Sequence, residues 1–168
     1  ERACSQARDW PPHLFFSLHL SALLFADVTI VDAIHNTIHR SGFSPARIEL
    51  EITESVFLSD ERLVDVLKSF QAIGMRVVID DFGTGYSSLS QLQSLNIDVI
   101  KIDQSFVRKL GKDYQSEALC ETIVSIGRSL DITIVAEGVE TAAQLRKLQD
   151  MGCDEVQGYL LSKPVRPE

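Results

Sequence analysis

Six short runs rich in branched apolar residues recur along the chain, and between them lie stretches with the 3.6-residue period of an amphipathic helix. The runs are Leu14–Ser21, Arg47–Thr53, Arg76–Asp81, Val99–Asp103, Thr133–Glu137 and Glu155–Leu160. The helical stretches are Asp27–His39, Asp60–Ile73, Ser88–Ser94, Ser116–Leu130 and Ala142–Met151, with one more at Arg2–Ala7. This alternation predicts repeated βα units around a parallel sheet. Gly42, Gly74 and Gly152 fall where helix C-caps belong, and Ser59 or Asp60 before Glu61 supplies an N-cap. No linker or low-complexity segment interrupts the pattern, so residues 1–168 read as one domain. A full (β/α)8 barrel takes about 250 residues, which leaves room here for about six of the eight βα units.

Side chains alternate along a strand, so Glu49, Glu51 and Thr53 share one face while Leu50 and Ile52 share the other. The split recurs: Ser17, His19 and Ser21 stand against Leu18 and Leu20, and Lys101 and Asp103 against Ile100 and Ile102. Thr133, Val135 and Glu137 oppose Ile134 and Ala136 in the same way. An open doubly wound sheet, buried on both sides, reads as continuous apolar strands. A polar strand face points instead to the lumen of an α/β, TIM-like barrel. The C-terminal strand ends build the active site in such barrels, and here they carry His19, Glu51, Asp80, Asp81, Lys101, Asp103, Glu137 and Gln157.

Carboxylates crowded together repel one another unless a cation compensates them, and coordination by oxygen alone suits Mg²⁺ or Mn²⁺ rather than zinc. The plainer alternative is that each carboxylate caps the helix after it or pairs with Lys101. A net charge of −8 argues against a broad grip on a nucleic-acid polymer, so an anionic ligand needs a local cation. Cys4, Cys120 and Cys153 are far apart and odd in number, which predicts buried thiols in a reducing cytosol rather than a disulfide or zinc framework. No stretch reaches the roughly 18 uninterrupted apolar residues of a membrane helix, so any tether lies in other parts of a longer protein. After the paired aspartates, Phe82-Gly83-Thr84-Gly85-Tyr86 reads as a mobile loop over the site, with glycines that permit positive φ. Trp10, Phe15, Phe16 and Phe25 read as core.

These motifs resemble those of the EAL-domain family, bacterial phosphodiesterases that open cyclic di-GMP to linear diguanylate (5′-pGpG) on a (β/α)8 barrel. The resemblance rests on Glu49-Leu50-Glu51-Ile52-Thr53-Glu54-Ser55 and on Asp80-Asp81-Phe82-Gly83-Thr84-Gly85-Tyr86-Ser87-Ser88-Leu89. It continues through Lys101-Ile102-Asp103-Gln104-Ser105-Phe106-Val107, Ala136-Glu137-Gly138-Val139-Glu140-Thr141 and Gln157-Gly158-Tyr159, in the family's order and spacing. It implies Glu51 and Asp80 as metal ligands, with Asp80 or Asp81 serving a second Mg²⁺ or Mn²⁺ ion. Lys101 would orient or help activate the attacking water, and Asp103 would join the same shell. Glu137 resembles a metal ligand or general base, and Gln157 a polar contact near metal and phosphate. Glu54 resembles the glutamate that anchors the Asp-Phe-Gly loop, and Glu140 a supporting carboxylate. The implied partners are cyclic di-GMP, a second copy of the domain, and GGDEF or sensory modules in a longer cytoplasmic or membrane-tethered protein.

The family's Glu-Ala-Leu motif belongs on a strand expected upstream of Glu1, which makes the domain read as N-terminally incomplete. The literal Glu117-Ala118-Leu119 lies in a helical stretch, where Glu117 reads as a solvated residue. His19 stands where the family has a metal-coordinating asparagine. It either brings a nitrogen that favours Mn²⁺, Zn²⁺ or Fe²⁺, marks a site that has lost catalysis, or is a satisfied barrel histidine. His35 and His39 share a helix face without a third ligand, and read as exposed. The enzyme reading therefore stands beside two others: a degenerate module that binds cyclic di-GMP without cutting it, and an interaction module.

Overall fold

The computed structural model describes residues 2–21, 29–57, 62–85, 92 and 95–165. It divides into two compact units, residues 1–79 with 87–98 and residues 80–86 with 99–168. The helix expected over Ser88–Ser94 lies outside the described residues apart from Leu92, as do Asp27, the Ser59 or Asp60 cap, Phe25 and Tyr86.

The first unit contains α1 (Arg2–Ala7), β1 (Phe16–His19), α2 (Ile30–Ser41), β2 (Ile48–Thr53), α3 (Glu54–Phe57), α4 (Arg62–Ala72) and the first four residues of β3 (Arg76–Phe82). β1 and β2 pair in parallel with His19 beside Glu51 and Ser17 beside Glu49. That register puts the polar side chains of both strands on one face, as their alternation predicts. α2 stops where Gly42 takes a φ of 66°, and its N–H donates to the His39 carbonyl. Arg47 clips the N-terminal segment in place: its guanidinium donates to the carbonyls of Leu14 (2.7 Å), Pro11 (3.1 Å) and Trp10 (3.4 Å) and stacks over the Phe43 ring. β1 is shorter than the apolar run Leu14–Ser21 because Leu14 turns back to the Pro11 carbonyl. Trp10 and Phe15 are not core; 39% and 45% of their surface stays exposed.

The second unit begins with the last three residues of β3 and adds β4 (Val99–Ile102), α5 (Gln104–Val107), α6 (Tyr114–Leu130), β5 (Thr133–Ala136), α7 (Ala142–Met151) and β6 (Glu155–Val156). β4, β5 and β6 run parallel, with Lys101 beside Val135 and Ala136 beside Val156. α6 lays Cys120, Ile123 and Val124 into the core, and its Gly127 leaves no room for a Cβ against Ile134. Asp113 caps that helix, accepting from the Ser116 N–H at 3.0 Å and hydroxyl at 2.5 Å, and these bonds hold its carboxyl below the usual range. Thr141 and Gln144 form a reciprocal capping box on α7, and Gln144 Nε2 also donates to the Val107 carbonyl at 3.2 Å. Glu117 is not simply solvated: it pairs with Lys147 of α7, which lowers its pKa.

β6 ends four residues sooner than expected because the chain at Gly158 presses against Val139. Val139 N–H donates to the Gln157 carbonyl and Leu160 N–H to the Val139 carbonyl, both at 3.0 Å. A Cβ at Gly158 would overlap the Val139 backbone, which cannot yield as a flexible side chain does. Gly158→Ala is therefore expected to destabilise the protein by about 1–3 kcal/mol, read in thermal denaturation as a Tm lower by about 3–10 °C. An unchanged Tm would show that the crossing is not tight.

Candidate metal centre

Parallel pairing in the second unit runs on past the strand ends. Asp103 N–H donates to the Phe82 carbonyl (3.4 Å), Glu137 N–H to the Ile102 carbonyl (3.2 Å) and Gln157 N–H to the Ala136 carbonyl (2.8 Å). Each bond satisfies a carbonyl that a strand end would leave open and fixes a chemically useful residue just beyond it.

A regular pleat would send Asp80 and Asp81 to opposite faces. Asp81 instead takes a φ of 55°, a left-handed conformation that costs most residues about 1–2 kcal/mol and that aspartate tolerates better than most. Its N–H donates to Asp80 Oδ1 at 3.0 Å. The broken alternation brings carboxylate oxygens of Asp80, Asp81 and Glu137 within 4.8 Å of one another. Asp80 is 7% exposed, and Lys101, 9% exposed, places Nζ 3.2 Å from Glu137 Oε1. Three carboxylates thus meet in partly buried surroundings, where a cation is favoured. Oxygens bound to a single hard cation at about 2.0–2.6 Å lie within about 4–5 Å of each other. The donor set and its spacing fit a hard divalent cation.

The other expected residues take more varied places. Asp103 accepts from the Ser105 N–H at 2.9 Å, so its carboxylate caps α5. Glu140 pairs with Arg108 at 3.5 Å, while Gln157 lies exposed beside Glu137. In the first unit, His19 Nε2 lies 2.5 Å from Glu51 Oε2, so His19 is a partnered histidine against a carboxylate that is only 2% exposed. Glu49 is held by Arg76 at 2.8 Å and accepts from the Ser17 hydroxyl at 3.3 Å. Glu54 is buried at the start of α3.

The loop after the aspartates is fastened at its start. Phe82 belongs to β3 and is buried, and Gly83, at a φ of 99°, packs under Phe106 and Leu119. The Thr84 hydroxyl donates to the Asp81 carbonyl at 2.8 Å, and Gly85 is exposed. Cys120 and Cys153 stand apart from the cluster; burial pushes both thiols up to about 11. A cleft of about 210 Å³ adjoins the cluster, sharing Glu137 and Gln157 and lined also by Gln104, Arg108, Glu140 and Tyr159. Sequence reading missed Arg108, because α5 is one turn long and too short to show a period.

Residues 1–164 match the model of the EAL domain family. The chain belongs to the EAL domain family. Among curated EAL relatives, it is 40% identical over 173 residues to the bifunctional diguanylate cyclase/cyclic di-GMP phosphodiesterase MucR of Pseudomonas aeruginosa, covering 100% of this chain and 25% of MucR. It is 39% identical over 165 residues to the cyclic di-GMP phosphodiesterase PdeR of Escherichia coli, covering 98% of this chain and 25% of PdeR. A solved PaMucR phosphodiesterase in complex with c-di-GMP superposes with a TM-score of 0.93 at 41% identity, over 98% of this chain and 68% of that one. BlrP1 of Klebsiella pneumoniae, solved with manganese and cyclic di-GMP, gives a TM-score of 0.87 at 32% identity, over 96% of this chain and 42% of that one. The expected α/β fold of the EAL barrel type is thus the fold found. The chain spans about a fifth to a quarter of the length of the curated relatives it matches.

Removing one charged oxygen donor from a hard-cation site weakens it by lowering the ligand charge. Asp80→Asn and Asp81→Asn are each expected to reduce Mn²⁺ affinity about tenfold or more, followed by the electron paramagnetic resonance of free Mn²⁺. Wild-type affinity in both variants would remove these aspartates from the metal site.

Proposed function

We propose that the chain is one EAL-type domain, residues 1–168, acting as a metal-dependent phosphodiesterase that hydrolyses cyclic di-GMP to linear diguanylate in the bacterial cytoplasm. The observation that carries this reading is the clustering of Asp80, Asp81 and Glu137 within 4.8 Å of one another. Family membership and the ligands of the PaMucR and BlrP1 complexes support it. Asp80, Asp81 and Glu137 would hold Mg²⁺ or Mn²⁺, and Glu51 is the further carboxylate that the family resemblance assigns to metal binding. When bound, a pair of such ions lowers the pKa of a water and offsets charge on the phosphate and leaving oxygen.

The chain's own residues do the rest. Lys101 Nζ, held by Glu137 Oε1, is a fixed positive charge beside the site. It orients the attacking water and counters charge on the phosphate oxygens. In the general-base alternative to ligation, Glu137 accepts the water's proton as the new oxygen–phosphorus bond forms, and the ring oxygen whose P–O bond breaks leaves with a proton from solvent. Gln157, pinned by its N–H to Ala136, offers an amide to a phosphate oxygen. Asp103 keeps α5 in place through its cap and Glu140 steadies Arg108, while the family resemblance assigns Glu54 the role of anchor for the loop Phe82-Gly83-Thr84-Gly85-Tyr86. A homodimer and fusion to GGDEF or sensory modules complete the proposal. No described helix is long and apolar enough to cross a membrane.

His19 favours a second reading, a module that binds cyclic di-GMP without cutting it, since it sets an imidazole against Glu51 where the family resemblance expects an asparagine. Incubating the chain with cyclic di-GMP and Mn²⁺ and separating products by chromatography decides between them. The enzyme reading expects linear diguanylate, its loss on chelation, and a kcat lower by about 10²–10⁴-fold in Glu137→Gln. Binding without any product in Mg²⁺ or Mn²⁺ would leave the second reading in its place.

A further inference from the structure

The cleft of about 210 Å³ beside Glu137 is smaller than the roughly 300–1,000 Å³ that enclose a whole drug-sized ligand, so it suits one base rather than a cyclic dinucleotide. Its walls offer an exposed aromatic ring, Tyr159 at 60% exposure, and a guanidinium, Arg108, whose side chain is 57% exposed. Arg108 sits at the C-terminal end of α5, where its N–H donates to the Gln104 carbonyl at 2.9 Å. Its Nη2 lies 3.5 Å from Glu140 Oε1. A guanidinium carries five N–H donors, and this one ion pair orients the group without exhausting them.

Resting on the cyclic di-GMP reading, we propose that Arg108 is a specificity-determining residue that donates to O6 and N7 of one guanine lodged in this cleft. Guanine presents two acceptors on that edge, which matches the planar fork of arginine. Adenine presents N7 beside an amino group, so one donor of the fork would meet another donor and go unpaired. Glu140 acts as the positioning residue for the fork. The Tyr159 ring supplies a face for stacking, which every base accepts alike and which therefore adds affinity without choosing between bases.

Calorimetric titration in Ca²⁺ with cyclic di-GMP and cyclic di-AMP tests this assignment in the wild-type chain, Arg108→Ala and Arg108→Lys. The wild type is expected to prefer cyclic di-GMP. Arg108→Ala should weaken cyclic di-GMP about ten- to a hundredfold and cyclic di-AMP by less than about threefold, collapsing the preference. Arg108→Lys keeps the charge but not the fork, and should restore little of it. Equal weakening of both nucleotides, or recovery by lysine, would make Arg108 a phosphate contact and overturn the proposal, as would an unchanged affinity for cyclic di-GMP. A wild-type chain that binds neither nucleotide would instead sink the cyclic di-GMP reading, and this proposal with it.

Discussion

Every strand that ends in a parallel sheet leaves carbonyls in need of donors, and in the second unit the next residue of the neighbouring segment supplies them. The N–H groups of Asp103, Glu137 and Gln157 close the ladder at Phe82, Ile102 and Ala136. A satisfied backbone bond contributes only about 0.5–1.5 kcal/mol net, whereas a buried carbonyl left open costs about 1–3 kcal/mol. The same bonds that keep the sheet intact therefore set where three polar side chains begin. The chemistry is placed by backbone pairing, so it does not depend on the order of a long loop.

Around that frame several of the described charges are arranged in pairs, and one cluster gathers three carboxylates. Glu49 has Arg76, Glu117 has Lys147 and Glu140 has Arg108, each carboxylate meeting one cation. Lys101 meets Glu137, and Glu137 also lies with Asp80 and Asp81, so three carboxylates share one place. Ion pairs of the first kind, at least where exposed, contribute about 0–1 kcal/mol and serve packing. The second kind costs stability unless a cation joins it, and strain at Asp81 adds to that cost. Local instability of this sort is what a binding site looks like before its ligand arrives.

Much of this was legible from residue order. The period-two faces of Arg47–Thr53 and Thr133–Glu137 correctly grouped the polar side chains, because a parallel register keeps them in line. Gly42 and Gly152 were readable as caps for the same local reason, a left-handed turn that glycine alone adopts freely. What could not be read was tertiary. Glu155–Leu160 has the composition of a strand, but Val139 approaches at Gly158 and ends it after two residues. Trp10 and Phe15 have the composition of core, but Arg47 holds their segment at the surface. The conformation that brings Asp81 to the same cluster as Asp80 was not readable either, since nothing in the order of residues announces a φ of 55°.

An acidic chain proposed to bind an anionic ligand faces a problem of range. At physiological ionic strength charges more than about 8 Å apart are largely screened, so the net charge of −8 matters less at a phosphate than the groups that touch it. Lys101 is a near cation at the cluster, and Arg108 is one at the adjoining cleft. Each is tied to a glutamate, which keeps its position but offsets part of its charge. Neither residue can therefore supply strong attraction alone. On the proposed reading, cations held by Asp80, Asp81 and Glu137 would carry most of the attraction for a phosphate, and the two side-chain cations would add to it while setting orientation and choice of base.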